Sequence, residues 1–176
     1  MALSVPLSRF TPRVGGGSAF YVRHHYAMSQ KVTLKGIGYW KDEECRRYPQ
    51  PQWLVETGWH AQDLDRIIGY LRSGKTYFSC LGYSHCRFSD CRDKNRERNG
   101  DSDFTDGVWV WPEGLAHYVE QHSVILPEEI VSTMRSNDWR IPQQVSVPKI
   151  EAGVPMFDTA FWEDWSRQRR PWYIIW

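Results

Sequence analysis

The run FTDGVWVWPEGLAHYV, residues 104–119, constrains the fold more than any other stretch of the chain. It sets an alternating Val-Trp-Val-Trp segment against Pro112, and a segment with helical spacing follows at once. Side chains of an extended strand alternate between faces, so Val108 and Val110 share one face and Trp109 and Trp111 the other. Both faces are then apolar, as in a strand covered on both sides. Pro112 suits the first turn of the next helix, and Glu113 suits that helix's positive end. Leu115, Tyr118 and Val119 make its inner stripe. This pattern predicts a strand over 104–111 with Val108 and Val110 toward the helices. Trp109 and Trp111 are expected on the other side, as core and as the floor of a groove.

The rest of the sequence supplies partners for such a strand. In HAQDLDRIIGYLRSG, Leu64, Ile67, Ile68 and Leu71 recur at helical spacing, Asp63 and Asp65 fall in the early turns, and Gly74 supplies a stop. LPEEIVSTMRSN predicts a second Pro-initiated helix, with Ile130, Val131 and Met134 inward and Asn137 at its end. DTAFWEDWSRQRR predicts a last short helix carrying Phe161, Trp162 and Trp165. Further strands are expected near 32–40, where Gly36 and Gly38 interrupt the pattern, and near 76–83. YPQPQW marks a loop, 89–103 a polar mobile loop with an Asn99-Gly100 turn, and 138–157 extended chain. These elements predict a single α+β domain with a small, mainly antiparallel sheet and three to four packed helices. Residues 1–30, with Pro6, Pro12 and Gly15-Gly16-Gly17, are expected to be a flexible leader. Residues 31–176 then form the domain, ending in a Trp-rich helix and tail.

Ten tryptophans among 176 residues are more indole than a domain of this size can bury completely. Some are therefore expected at a surface, a cleft or a partner contact. Net charge is only +1, which argues against nucleic acid and against an anionic membrane as partners. Six of the 22 basic residues and none of the 21 acidic ones fall in 1–41, so the remainder carries a net −5. An Arg- and Ser-bearing, acid-free start fits a targeting segment, a non-native leader or translation from before Met28 equally. No apolar stretch approaches the roughly 18–20 residues that span a bilayer. Four cysteines without a secretory signal favour a reduced, cytoplasmic protein.

Three constellations carry candidate chemistry. Cys80, His85, Cys86 and Cys91 fall close together, and Cys86 and Cys91 have the x₄ spacing of a zinc-ligand pair. No second tight pair accompanies them, so zinc ranks as a minor expectation and no cofactor as the main one. Cys86 with His117 or His122 would make a nucleophile and base only where the fold brings them together. Asp106, Glu113 and His117 form an acidic and imidazole set beside the Trp strand. Glu113 and His117 sit four apart, able to pair on a helix. Finally Trp109, Trp111, Trp162, Trp165, Arg169, Arg170 and Trp172 are candidate binding residues, because Trp and Arg dominate protein contacts. The alternative for Arg169, Arg170 and Trp172 is a tail docked on its own domain.

At LKGIGYWKD, YLRSG, CRF and FTDGVWVWPEGLAHYVEQHSVILPEEIV the chain resembles a family of small, mostly uncharacterised bacterial proteins. Their shared feature is a TDG-x-W-x-WPEGLAHYV-x-x-H-x-V-x-LP run, and the likeness covers roughly residues 34–140. The resemblance carries no assigned activity and no catalytic residue. Small bacterial proteins of this kind are often antidotes or accessory partners of secreted toxins. The leading expectation is a non-enzymatic protein-binding module of a bacterial system, of immunity or adaptor type, whose partner is another protein. The alternative is a small enzyme acting on a sugar, nucleotide or nucleic-acid end by acid–base catalysis, through Asp106, Glu113 and His117.

Overall fold

A computed structural model describes residues 33–93, 99–150 and 156–172. The expected leader and the apolar end at 173–176 lie outside the described residues. In chain order the elements are β1 (Leu34–Gly36), a 3-10 helix (Pro51–Leu54), α1 (Leu64–Arg72), β2 (Lys75–Ser79), β3 (Ser102–Thr105) and β4 (Trp109–Pro112). α2 (Leu115–His122), α3 (Glu128–Ser136), β5 (Phe157–Asp158) and α4 (Ala160–Arg167) complete them. The α+β class expected from the sequence is the class found. The sheet runs β2-β3-β4-β1-β5 and is mixed: β2, β3 and β4 pair antiparallel, whereas β1 lies parallel to both β4 and β5. Among the described residues no helix is long and apolar enough to cross a membrane.

The run 104–111 is two strands rather than one. Asp106, Gly107 and Val108 make a tight turn between β3 and β4, with Thr105 opposite Val110 and Phe104 opposite Trp111. Gly107 takes φ +93°, a conformation that side chains with a Cβ rarely adopt. One oxygen of Asp106 accepts the backbone N–H groups of Val108 and Trp109, at 2.8 and 2.7 Å. That is the local bond by which Asp favours turns. Val108 therefore sits on the turn, 48 % exposed, and does not face the helices.

The expected faces of β4 are also exchanged. Trp109 and Trp111 pack in the main core with Ile67 and Leu71 of α1, Leu115 and Val119 of α2, Ile130 and Met134 of α3, and Trp162 of α4. Val110 lies on the opposite face with Leu34, Tyr77, Phe78 and Phe157. The indoles can be buried among helices because each N–H finds an acceptor there. Trp109 donates to Thr133 Oγ1 (3.0 Å), Trp111 to the Leu71 carbonyl (3.0 Å) and Trp162 to the Tyr39 carbonyl (2.9 Å). A buried N–H without such a partner would cost about 1–3 kcal/mol.

α1 and α3 present the stripes their spacing predicts, with Ile67, Ile68 and Leu71 buried on one and Ile130, Val131 and Met134 on the other. Gly36, the last residue of β1, lets β5 approach closely. A Cβ there would lie 2.7 Å from the Phe157 ring and 2.8 Å from the Thr159 methyl group. Gly36→Ala is accordingly expected to push β5 off β1 and to cost about 1–3 kcal/mol of stability by overpacking. A urea titration reads this directly, and an unchanged midpoint would show that β5 yields without cost.

Candidate metal centre

The long connection from β2 to β3 is tied at its neck and folded at its tip. At the neck the Cys80 N–H donates to the Asp101 carbonyl (2.7 Å), and Ser84 exchanges backbone bonds with Asn99 and Gly100 (3.0 and 2.9 Å). The neck lies against the start of α2, where Gly114 leaves room: a Cβ there would sit 2.6 Å from the Asn99 carbonyl oxygen. At the tip, residues 85–91 cross α2 at Tyr118. The Tyr118 hydroxyl accepts the Arg87 N–H (3.0 Å) and donates to the His85 carbonyl (3.3 Å). Burial pushes that phenol up to about 12, so it keeps its proton as a clamp between loop and helix.

This clamp brings two cysteines of the tip onto two histidines of α2. Cys86 Sγ lies 3.2 Å from His122 Nε2, and Cys91 Sγ lies 3.5 Å from His117 Nε2. The ligand atoms of all four residues fall within 4.8 Å of one another. A tetrahedral zinc ion with bonds of about 2.0–2.3 Å separates its ligand atoms by about 3.3–3.8 Å, so both measured pairs are close to edges of such a tetrahedron. The four residues could thus hold a metal ion such as zinc.

The surroundings suit that chemistry. The other ring nitrogen of His117, Nδ1, lies 3.3 Å from the Asp93 carboxylate. A carboxylate on the far side of a ligating imidazole fixes its tautomer and orientation. The Phe88 N–H points to Cys86 Sγ at 3.5 Å, a donor that favours thiolate, and the Phe88 ring stacks on His122 at 4.0 Å and 3°. Burial lowers the pKa of both histidines: Asp93 opposes that shift at His117, whereas His117 adds to it at His122. Neutral imidazole is the form that ligates. Cys86 is buried, and the other three are half-buried. Four protein ligands leave no open position, which is the arrangement of structural metal sites and not of catalytic ones.

The sequence candidates distribute unevenly around this centre. Cys86 and Cys91 belong to it, but Cys80 is exposed at the neck of the loop, and His85 lies beside Arg87 at 3.2 Å. The second tight pair is present after all, as two histidines: His117-x₄-His122 matches the spacing of Cys86-x₄-Cys91.

No family model, curated protein or solved structure matches this chain.

The acidic set does not assemble. Asp106 is buried in the β3–β4 turn, where it also accepts the Tyr70 hydroxyl at 2.8 Å. Glu113 precedes α2 and receives the Asp101 N–H at 3.3 Å, so it does not pair with His117, which turns to Asp93. The aromatic set divides as well. Trp109, Trp111 and Trp162 are sealed in the core, and no partner protein can reach them. Trp165 stacks on Trp162 (5.4 Å) beneath the Arg169 guanidinium (4.0 Å), and Arg170 lies over Trp53 (5.5 Å). The tail thus docks on its own domain up to Arg170, and Trp172 beyond it is exposed.

Proposed function

We propose that this chain is a zinc-stabilised, non-enzymatic protein-binding module. The observation that carries the reading is the closed set of two thiols and two imidazoles, Cys86, Cys91, His117 and His122, with a carboxylate behind one of them. Zinc fits that donor set, since it accepts sulfur and nitrogen together and imposes no geometry beyond the tetrahedron. A reducing cytoplasm keeps both thiols available as ligands. The ion would staple the β2–β3 connection to α2 and so fix the presentation of Leu81 and Tyr83, two exposed apolar side chains next to its neck. Apolar and aromatic groups held on a rigid frame are what a partner protein buries first. Asp106 is taken up by the β3–β4 turn and Glu113 by the Asp101 N–H, which favours a binding role of immunity or adaptor type over acid–base catalysis by these residues.

Two measurements test the two halves of the proposal. Untagged protein is expected to contain one zinc per chain by plasma mass spectrometry, and Cys86→Ser less than a tenth of that. Zinc-free native protein would sink the metal reading. The exchange Leu81→Asp with Tyr83→Asp is expected to abolish partner capture from the native host while zinc content stays at one. Undiminished capture by this variant would remove the loop as the contact surface.

A further inference from the structure

A second site lies away from the metal centre and shares no residue with it. Between the segment 41–53 and α4 the surface opens into a cleft of about 410 Å³. Its walls carry five cationic side chains, Lys41, Arg46, Arg47, Arg167 and Arg170, against one carboxylate, Glu163. Residues 42–176 carry 16 basic and 21 acidic side chains, so this cleft concentrates positive charge against the balance of that part of the chain. Glu163 neutralises Arg47 at 3.1 Å, and Arg167 pairs with Asp164 at 2.8 Å on the exposed side of α4. Among the described residues Lys41 and Arg46 make no ion pair.

We infer that this cleft binds a small phosphate-bearing ligand with two or more negative charges, such as a diphosphate. The volume falls in the range of small-molecule pockets, about 300–1,000 Å³, and is too confined for a nucleic-acid strand. A long polyanion would also need a basic field around the cleft, and residues 42–176 carry a net −5. Guanidinium groups match phosphate oxygens with paired N–H donors, and five cationic side chains around one cleft favour a ligand with several negative charges over a lone carboxylate. The rings of Tyr48 and Trp53 already carry guanidinium groups, Arg47 at 5.4 Å and Arg170 at 5.5 Å. Recognition therefore runs through the charged end of the ligand and not through a stacked ring. An ion pair ties the two walls together: Arg47 bridges to Glu163, whose carboxylate also accepts the Thr159 hydroxyl at 2.7 Å.

Inorganic pyrophosphate is the probe. Titrated into the full chain at constant ionic strength, it is expected to give saturable calorimetric heat and to shift the Trp53 indole resonance, assigned with Trp53→Phe. The double variant Arg46→Gln, Arg167→Gln is expected to bind at least tenfold more weakly with an unchanged melting temperature. Lys41→Gln gives a second reading, at least a threefold loss, should the double variant melt early. Citrate, a polyanion without phosphate, is expected to bind at least tenfold more weakly than pyrophosphate. The inference is overturned by a wild-type response to pyrophosphate that does not saturate, by folded variants that bind like the wild type, or by citrate binding as well as pyrophosphate.

Discussion

If the proposed zinc is bound, chelation or Cys86→Ser is expected to lower the thermal midpoint of the protein by about 8–16 °C. A ligand at 1,000 times its dissociation constant stabilises the folded state by about 4 kcal/mol. For a chain of this length each kcal/mol moves the midpoint by about 2–4 °C. The loss should be large because the ion would replace contacts the loop does not otherwise make. Between the neck bonds at Ser84 and Asn99, residues 85–93 are held to α2 by the Tyr118 clamp, the Phe88–His122 stack, the Asp93–His117 pair and the thiol–imidazole pairs. Cys80→Ser and Cys45→Ser serve as controls and should leave the midpoint within about 1 °C, since neither thiol belongs to the cluster. Asp93→Asn should weaken metal binding about 10- to 100-fold without abolishing it, as expected of a group that orients a ligand from behind. A chelated protein that melts with the untreated one would show that the four side chains pair with each other and need no ion.

How far these features could be read from the chain alone follows from their range. α1 and α3 were legible because their stripes are local: three or four apolar residues at helical spacing define a face with no knowledge of what lies opposite. The β3–β4 hairpin was not. Asp106-Gly107 is a turn signal, but the alternation from Val108 to Trp111 is equally that of one long strand, and only cross-strand pairing decides. Once Val108 belongs to the turn, alternation no longer says which face meets the helices. Acceptors on α1 and α3 for the two indole N–H groups do. The metal centre was half legible. Cys86-x₄-Cys91 stood out as a pair. His117-x₄-His122 did not, because a step of five residues turns about 140° around an ideal helix and places no common face. The two imidazoles meet only because the second closes the last turn of α2, just before Ser123 takes a left-handed conformation (φ +52°). Ring centroids 5.2 Å apart flank Tyr118, and the cysteine tip lies across them. Twenty-five residues separate Cys91 from His117, including the whole hairpin, so the sequence pattern lacks the short spacer that usually betrays such a site.

Asp106→Ala is expected to destabilise the protein by about 2–5 kcal/mol, the effect of leaving several buried donors unpaired. Its carboxylate accepts three bonds, from the Val108 and Trp109 N–H groups and from the Tyr70 hydroxyl. Tyr70 in turn accepts the Asn137 side-chain amide at 3.0 Å, so one carboxylate joins the β3–β4 turn to α1 and to the end of α3. Burial, and then the nearby charge of Asp106, push the Tyr70 phenol well above its usual pKa, which keeps it a donor. Alanine leaves these donors facing a void, at about 1–3 kcal/mol for each one that water does not reach. Asparagine retains the oxygen for the two backbone donors but sets an amide against the phenol, so Asp106→Asn should cost about 1–2 kcal/mol. Urea unfolding at pH 7 checks the order. A catalytic Asp106 requires the opposite pattern, with both variants as stable as the wild type and inactive, and a measured loss below about 1 kcal/mol for alanine would revive it. With the predicted order, the most conspicuous acid beside the Trp strand is a fastener of the β3–β4 turn and not an acid–base group.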